Sequence, residues 1–310
     1  MNATFMLNSM PPLVSVIIPV YNDSQRLKKC LQALEKQTYS KEKYEVLVVD
    51  NASEENLKDV VEYFSQAWLT VETCPGSYAA RNKGISVAQG EILAFTDADC
   101  VPSENWIEAG VKCLLSLPGP GIVAGKIEMF FQDKNYPNIA ELYDSITNLN
   151  QKKIVEQSHF GATANLFTFK KVFDEVGLFN QQLKSGGDSE WGKRAFSKGY
   201  LIEYAEESCI AHPARNSFAQ LYKKNIRVKG GFYELEKIQN QGGKKIFLKE
   251  LLQVISRYKP PIVYAARKSF SEEKASSNVQ KIQLFLITLV LHYAGVIERT
   301  RLILGGKPQR

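Results

Sequence analysis

Apolar residues along the first hundred positions alternate between two periodicities. Val14–Ile18 is a β-rich apolar run that Pro19 stops. Asp23 then stands where a helix N-cap is wanted, ahead of Leu27, Cys30, Leu31 and Leu34 at i, i+3, i+4, i+7. Val46–Val49 is a second buried-type strand ending at Asp50, and Ser53 is expected to cap a further helix, with Leu57, Val60, Val61 and Phe64 in the same spacing. Leu69–Thr73 reads as a third strand, Ser77–Ala88 as a helix, and Ile92–Thr96 as a fourth strand ending at Asp97. Strands alternating with helices of this length imply βαβ units with right-handed crossovers. The expected fold is α/β, a mostly parallel sheet covered on both faces.

The pattern loosens from Val101 to Pro213. Helices are expected around Trp106–Leu117, Ile139–Leu149, Lys170–Val176 and Ser189–Lys198, with a strand at Ile122–Phe131 after the Pro118–Gly121 break. No repeat of 20–50 residues is visible. Beyond His212 the composition changes: Lys223, Lys224, Arg227, Lys229, Lys244, Lys245 and Lys249 crowd the chain, Pro260–Pro261 interrupts it, and Ser269–Asn278 is linker-like. The apolar run Leu284–Ile297 follows, flanked by basic residues. It is shorter than the roughly 20 residues of a spanning helix, which favours a helix lying on a membrane surface over a core helix or a true span.

Charge sharpens this division. The 310 residues carry a net charge of +6, but residues 1–214 hold 20 Lys/Arg against 27 Asp/Glu (−7) and residues 215–310 hold 19 against 6 (+13). So basic a tail suits an anionic surface, and the acidic front argues against nucleic acid as partner. An apolar fraction of 44% excludes a disordered or collagenous chain. The five cysteines include no C-x-x-C pair, which argues against a disulfide scaffold or structural zinc and for a reducing compartment. The first twelve residues lack a charged segment leading into a long apolar run, so no secretory signal is expected.

Ligands of open parallel sheets bind beyond the carboxyl ends of the strands. Three such ends carry polar or acidic residues here: Pro19-Val20-Tyr21-Asn22, Asp50-Asn51 and Asp97-Ala98-Asp99. A single Asp after a strand is ordinarily a turn or cap residue; three ends together point to a site. Alternate residues of an extended segment face the same way, so Asp97 and Asp99 can share a ligand, and paired carboxylates suit Mg2+ or Mn2+ held with phosphates. The chain has neither a P-loop nor a dinucleotide fingerprint, leaving a metal to neutralise any phosphate.

Val14–Asn22 (VSVIIPVYN), Val48–Ser53 (VVDNAS), Ala80–Gly84 (ARNKG), Thr96–Cys100 (TDADC), Gly161–Phe169 (GATANLFTF), Val176–Phe179 (VGLF), Gly186–Arg194 (GGDSEWGKR) and His212–Arg215 (HPAR) resemble, in order, the motifs of family 2 glycosyltransferases of the GT-A fold. The resemblance spans about residues 13–216. It implies a GT-A catalytic domain there, with residues 13–100 the nucleotide-sugar half and 101–216 the acceptor half. A short extension (1–12) precedes it, and a basic helical region (217–310) follows.

On that resemblance Pro19, Tyr21 and Asn22 line the nucleotide pocket and Asp50 bonds the base. Arg81 and Asn82 sit near the donor, and Asp97 faces the ribose or donor sugar. Asp99 ligates Mn2+ or Mg2+, and His212 adds a metal or diphosphate contact. Asp188 is the general base with Glu190 the neighbouring alternative, since Gly187-Asp188 stands where the family often has Glu-Asp. Asp188 could equally cap the helix behind it, His212 could be an ordinary core histidine, and Trp191 a sugar platform or core. His159 and the small residues Gly161, Ala162 and Ala164 could let an acceptor approach the backbone. Arg215 to Lys229 is a basic face towards membrane or acceptor, or a solvated one.

The implied activity is an inverting, metal-dependent transfer from a nucleotide-diphospho-sugar, UDP-sugars favoured, to a hydroxyl of a glycan or lipid-linked acceptor, at the cytoplasmic face of a membrane. A nucleotidyltransferase, which would release pyrophosphate, and a non-catalytic nucleotide-sugar-binding scaffold are the competing classes.

Overall fold

The computed structural model describes residues 10–147, 150–239, 258–270, 275 and 277–308. Lys244, Lys245, Lys249, the first nine residues and Leu149 lie outside the described residues, as do the positions 271–274 and 276 of the linker-like stretch. The chain divides into two compact units: residues 1–128, 150–180 and 191–211, and residues 129–149, 181–190 and 212–310.

The first unit is built on one sheet. Strands β1 (Val14–Val20), β2 (Tyr44–Asp50), β3 (Ala67–Val71) and β4 (Ile92–Thr96) alternate with helices α1 (Ser24–Leu34), the four-residue α2 (Lys58–Val61) and α3 (Ser77–Val87). A short strand β5 (Val101–Pro102) and helix α4 (Trp106–Ser116) come next, then β6 (Gly121–Phe130). The sheet order is β3-β2-β1-β4-β7-β6-β8-β5, where β7 is Asn165–Phe169 and β8 is Leu201–Pro213. The pairs β2–β3, β1–β2 and β1–β4 are parallel, as the βαβ reading requires. The later strands extend the sheet in the other sense: β4–β7, β6–β7 and β5–β8 are antiparallel. Apolar residues of β1, β2 and β4 pack with Leu27, Leu31 and Leu34 of α1 and with Trp106, Ile107 and Leu114 of α4 in one large core.

Some local expectations fail for identifiable reasons. Pro19 does not stop β1, which runs to Val20 with Pro19 opposite Val49. The pairing with β4 has already ended at Ile17 opposite Phe95, so the missing N–H of Pro19 falls where no ladder on that side needs it. Asp23 stands at the α1 N-cap without a side-chain capping bond, its carboxylate being taken by Arg26 at 2.7 Å. Ser53 caps no helix: it links two loops, and the helix after it is confined to Lys58–Val61. The third strand begins two residues earlier than its apolar run.

Helices α5 (Ile139–Thr147), α6 (Gln151–Ser158), α7 (Lys170–Val176) and α8 (Gly187–Ser197) precede β8. The second unit contains α5, α9 (Phe218–Gln239), α10 (Ile262–Phe270) and α11 (Asn278–Ile303). Leu284–Ile297 is thus the middle of a 26-residue helix. Leu284, Ile287, Leu291, Val296 and Leu302 of α11 are buried, and Ala140 of α5 and Leu221 of α9 pack with Ile287 and Leu291. Val279, Ile282, Leu286, Val290 and Ile297 remain exposed on the same helix. Its length and composition would suffice to cross a membrane.

Candidate active site

The ends of β1 and β2 are laced together by short polar residues. The Ser53 N–H donates to Asp50 Oδ1 at 2.8 Å, and Ser53 Oγ accepts the Asn22 N–H at 2.9 Å. Asn22 Oδ1 in turn accepts the Glu54 N–H at 2.8 Å. Asn22 and Ala52 both adopt positive φ, 49° and 62°, which turns the chain sharply past each strand end. Asn51 ties in the following loop: its amide donates to the carbonyls of Glu72 and Cys74, and its Oδ1 accepts the Gly76 N–H at 2.6 Å. The next residue opens α3. Tyr21 lies exposed beside this lacework.

Helix α3 carries Arg81, 4% exposed, to the end of β4, where its Nη2 meets Asp97 Oδ1 at 2.5 Å. Arg81 Nε is buried without a hydrogen-bond partner. An unmade bond on a buried guanidinium is costly; a ligand oxygen arriving there would satisfy it. Asn82, one residue on, engages Phe179 through both ends of its amide, donating to the Phe179 carbonyl at 2.9 Å and accepting its N–H at 3.1 Å.

Past β4 the chain turns through Asp97-Ala98-Asp99-Cys100, closed by the Cys100 N–H on the Asp97 carbonyl at 3.0 Å. Strand β8 is continuous to Pro213, and its pairing with β5 sets Ala211 opposite Val101, so His212 continues the strand past that pair. The ligand atoms of Asp97, Asp99, Cys100 and His212 all lie within 4.8 Å of one another. Burial, followed by the charges of Asp97 and Asp99, pushes the Cys100 thiol well up, and as a soft sulfur donor it suits a hard cation less than the oxygen and nitrogen atoms beside it. Two carboxylates and an imidazole remain. His212 Nδ1 lies 2.9 Å from the Pro213 carbonyl, and a neutral ring donating there presents its lone pair at Nε2. With the Asp97 and Asp99 side chains 33% and 23% exposed, the cluster opens on one side. A small hard cation that keeps some coordination positions for phosphate fits this donor set.

Arg26 escaped the sequence reading. From α1 its guanidinium reaches Asp99 at 3.6 Å while bonding Asp23. The Asp23-x-x-Arg26 spacing was the available signal, but it pointed to a helix end rather than to Asp99.

Asp188 and Glu190 share the first turn of α8, where exposed amides favour acids, and Asp188 Oδ1 accepts the Ser189 N–H at 2.9 Å. Trp191 is core: 1% exposed, stacked on Phe173 with centroids 4.4 Å apart, its Nε1 donating to the Gly177 carbonyl at 2.8 Å. The small residues after His159 are also packing residues. Gly161, Ala162 and Ala164 are buried, and a Cβ on Gly161 would stand 2.7 Å from Ala124 Cβ, so the protein itself fills the space expected for an acceptor. His159 stacks on Phe196 at 4.0 Å.

Residues 15–177 match the sequence model of glycosyl transferase family 2. The chain belongs to that family. It is 36% identical over 311 residues to the glycosyltransferase AglE of Haloferax volcanii, covering 98% of this chain and all of the relative. Over 169 residues it is 30% identical to the Escherichia coli UDP-Glc:alpha-D-GlcNAc-diphosphoundecaprenol beta-1,3-glucosyltransferase WfgD, covering 54% of this chain and 57% of the relative. The solved mannosyltransferase PcManGT from Pyrobaculum calidifontis, in complex with GDP-Man and Mn2+, superposes with a TM-score of 0.63 at 20% identity, covering 96% of this chain and 88% of that one. The fold of this family 2 glycosyltransferase is therefore GT-A.

Proposed function

We propose that this glycosyltransferase moves a sugar from a nucleoside-diphospho-sugar to a hydroxyl of a glycan or lipid-linked acceptor, with inversion and with a divalent cation. The observation that carries the reading is the convergence of Asp97, Asp99 and His212, with Arg81 Nε buried and unpaired beside Asp97. Asp99 and His212 would hold Mn2+ or Mg2+, with Asp97 shared between the cation and the donor. When bound, the cation supplies Lewis-acid neutralisation of the departing diphosphate. Arg81 adds a fixed positive charge that matters most as charge builds on the leaving group. Pro19, Tyr21, Asn22 and Asp50 receive the nucleotide, with Asp50 held by Ser53. Asn82 acts through Phe179, holding the turn after α7 against α3. Asp188, with Glu190 the alternative, takes the proton of the acceptor hydroxyl. The acceptor oxygen bonds the anomeric carbon from the face opposite the breaking carbon–oxygen bond, whose electron pair leaves with the nucleoside diphosphate. That single displacement inverts the anomeric centre.

The exposed stripe Val279, Ile282, Leu286, Val290 and Ile297, together with the +13 charge of residues 215–310, supports docking on an anionic membrane surface at the cytoplasmic side. UDP-sugars remain the favoured donors. Because the names of the relatives include both UDP-Glc and GDP-Man, the test spans both bases. The experiment incubates the full chain with a panel of UDP- and GDP-sugars and Mn2+, following nucleoside diphosphate release and, for products, anomeric configuration by NMR. Release of nucleoside diphosphate that Asp188→Asn lowers at least a hundredfold is expected. Release of pyrophosphate, or tight binding of every active-site ligand without turnover, would overturn the reading in favour of a nucleotidyltransferase or a scaffold.

A further inference from the structure

The segment leading into α8 is braced from behind by the C-terminal region. Ser185 backs onto α9 so closely that a Cβ built on Gly231 would lie 2.4 Å from the Ser185 carbonyl oxygen and 2.8 Å from its carbonyl carbon. Only glycine permits that approach. Gly186 follows at φ +80°, with Leu235 Cδ1 of α9 3.1 Å from where its Cβ would stand. The Gly186 carbonyl accepts the Glu190 N–H at 3.0 Å, so the place of Gly186 sets the first turn of α8, in which Asp188 lies. A second brace reaches the same segment: the Lys184 ammonium donates to the Pro308 carbonyl at 2.7 Å. Pro308 is itself carried on a turn in which Gly306 N–H donates to the Arg301 carbonyl at 2.9 Å and Arg301 Nη2 donates to the Lys307 carbonyl at 2.6 Å. A cavity of about 410 Å³ lined by Leu183, Tyr233, Lys237 and Leu302 adjoins the segment, giving it room to shift once a brace is lost.

We propose that Gly231, Lys184 and the C-terminal turn through Pro308 form a clamp that positions Asp188 for proton abstraction. These are positioning residues, and the inference rests on Asp188 being the base. The basic C-terminal region thereby has a role in turnover separate from any attachment.

The test measures nucleoside diphosphate release from UDP-glucose and GDP-mannose with Mn2+, water serving as acceptor, for the full chain and for Gly231→Ala, Lys184→Met, Lys184→Arg and Asp188→Asn. Displacing a reacting group by about 1 Å costs on the order of a hundredfold in rate. Gly231→Ala is expected to lower kcat ten- to a hundredfold and Lys184→Met by roughly three- to tenfold, with donor KM within twofold of the parent and Lys184→Arg close to it. Movement of Asp188 away from the helix amides also shifts the acid limb of the kcat–pH profile upward, which mere loss of folded protein does not do. If Gly231→Ala fails to fold, the Lys184 pair decides. Folded variants with parental kcat and pH profile, alongside an inactive Asp188→Asn, would refute the clamp and leave the base in place. An Asp188→Asn enzyme with parental activity would remove the base and the clamp with it.

Discussion

Asp144 offers a sharp test of how the second unit is held together. It is fully buried on α5, where its carboxylate accepts the Arg215 N–H at 3.0 Å, Arg215 Nη1 at 3.1 Å and Lys224 Nζ at 2.9 Å. Two cations thus face one anion. Burial and then the nearby Arg215 lower the Lys224 ammonium from 10.5 to about 8, although Asp144 opposes them. The two cations and the backbone amide outweigh desolvation at Asp144 and hold its carboxyl below the usual range. Asp144→Asn keeps the shape but leaves both cations uncompensated. Breaking a buried pair costs about 3–5 kcal/mol, and Lys224 and Arg215 keep roughly a fifth to a quarter of their side-chain exposure, so about 2–3 kcal/mol is expected at pH 7. Lys224 can escape by losing its proton, which caps its share at pH 7 at about 1.4 kcal/mol, the cost of deprotonating a group of pKa about 8 one pH unit below that value.

The pH dependence follows from the same shifts. With its folded pKa lowered, Lys224 binds fewer protons in the native protein than in the unfolded chain between about 8 and 10.5, so its contribution to stability rises with pH across that window. Asp144 contributes stability above its ordinary titration range, lost as pH falls through its depressed folded value. At pH 9 Lys224 is largely neutral, so Asp144→Asn should cost less than at pH 7. Urea unfolding followed by circular dichroism at both pH values measures this. A loss under 0.5 kcal/mol at pH 7, or the same loss at both, would refute the argument.

Other outcomes follow from packing and surface. Trp191→Ala should destabilise by about 3–5 kcal/mol, read in the denaturation midpoint, because it empties a fully buried stack on Phe173; its effect on acceptor KM should be no larger than that on folded fraction, whereas a sugar platform would raise KM selectively. Leu286→Glu with Val290→Glu places charge on the exposed face of α11 and should at least halve co-sedimentation with phosphatidylserine-containing vesicles, with 0.5 M salt weakening the parent's binding as well. Unchanged co-sedimentation would rule out that face.

The parallel part of the fold was legible because buried parallel strands are short, β-branched apolar runs, and Val46–Val49 and Ile92–Thr96 are such runs, each closed by a polar strand end and alternating with helical spacings. What failed was local: Asp23 and Ser53 have the right chemistry for helix caps, but each is engaged elsewhere, by Arg26 in one case and by the Asn22 backbone N–H in the other. The antiparallel strands were obscure for another reason. Strand β8 mixes polar and apolar residues over thirteen positions, and its register with β5 is set by residues about 110 apart in sequence. In the site, Asp97, Asp99 and His212 were legible as types in a motif order. The Arg26–Asp99 and Asn82–Phe179 contacts were not, since no periodicity records pairings 73 and 97 residues apart. Trp191 and Gly161 mark the same limit: an aromatic or a small residue near a motif has the same letter whether it faces ligand or core.

On the proposed function, a cation gathered by Asp97, Asp99 and His212 couples the chain to its donor. Isothermal titration of UDP and GDP into metal-free protein, repeated with Mn2+ and with Asp99→Ala, measures that coupling. At least a tenfold gain in nucleotide affinity on adding Mn2+, absent in Asp99→Ala while its denaturation midpoint stays parental, is the predicted result. Equal affinity with and without the cation, or a full Mn2+ response in Asp99→Ala, would contradict it.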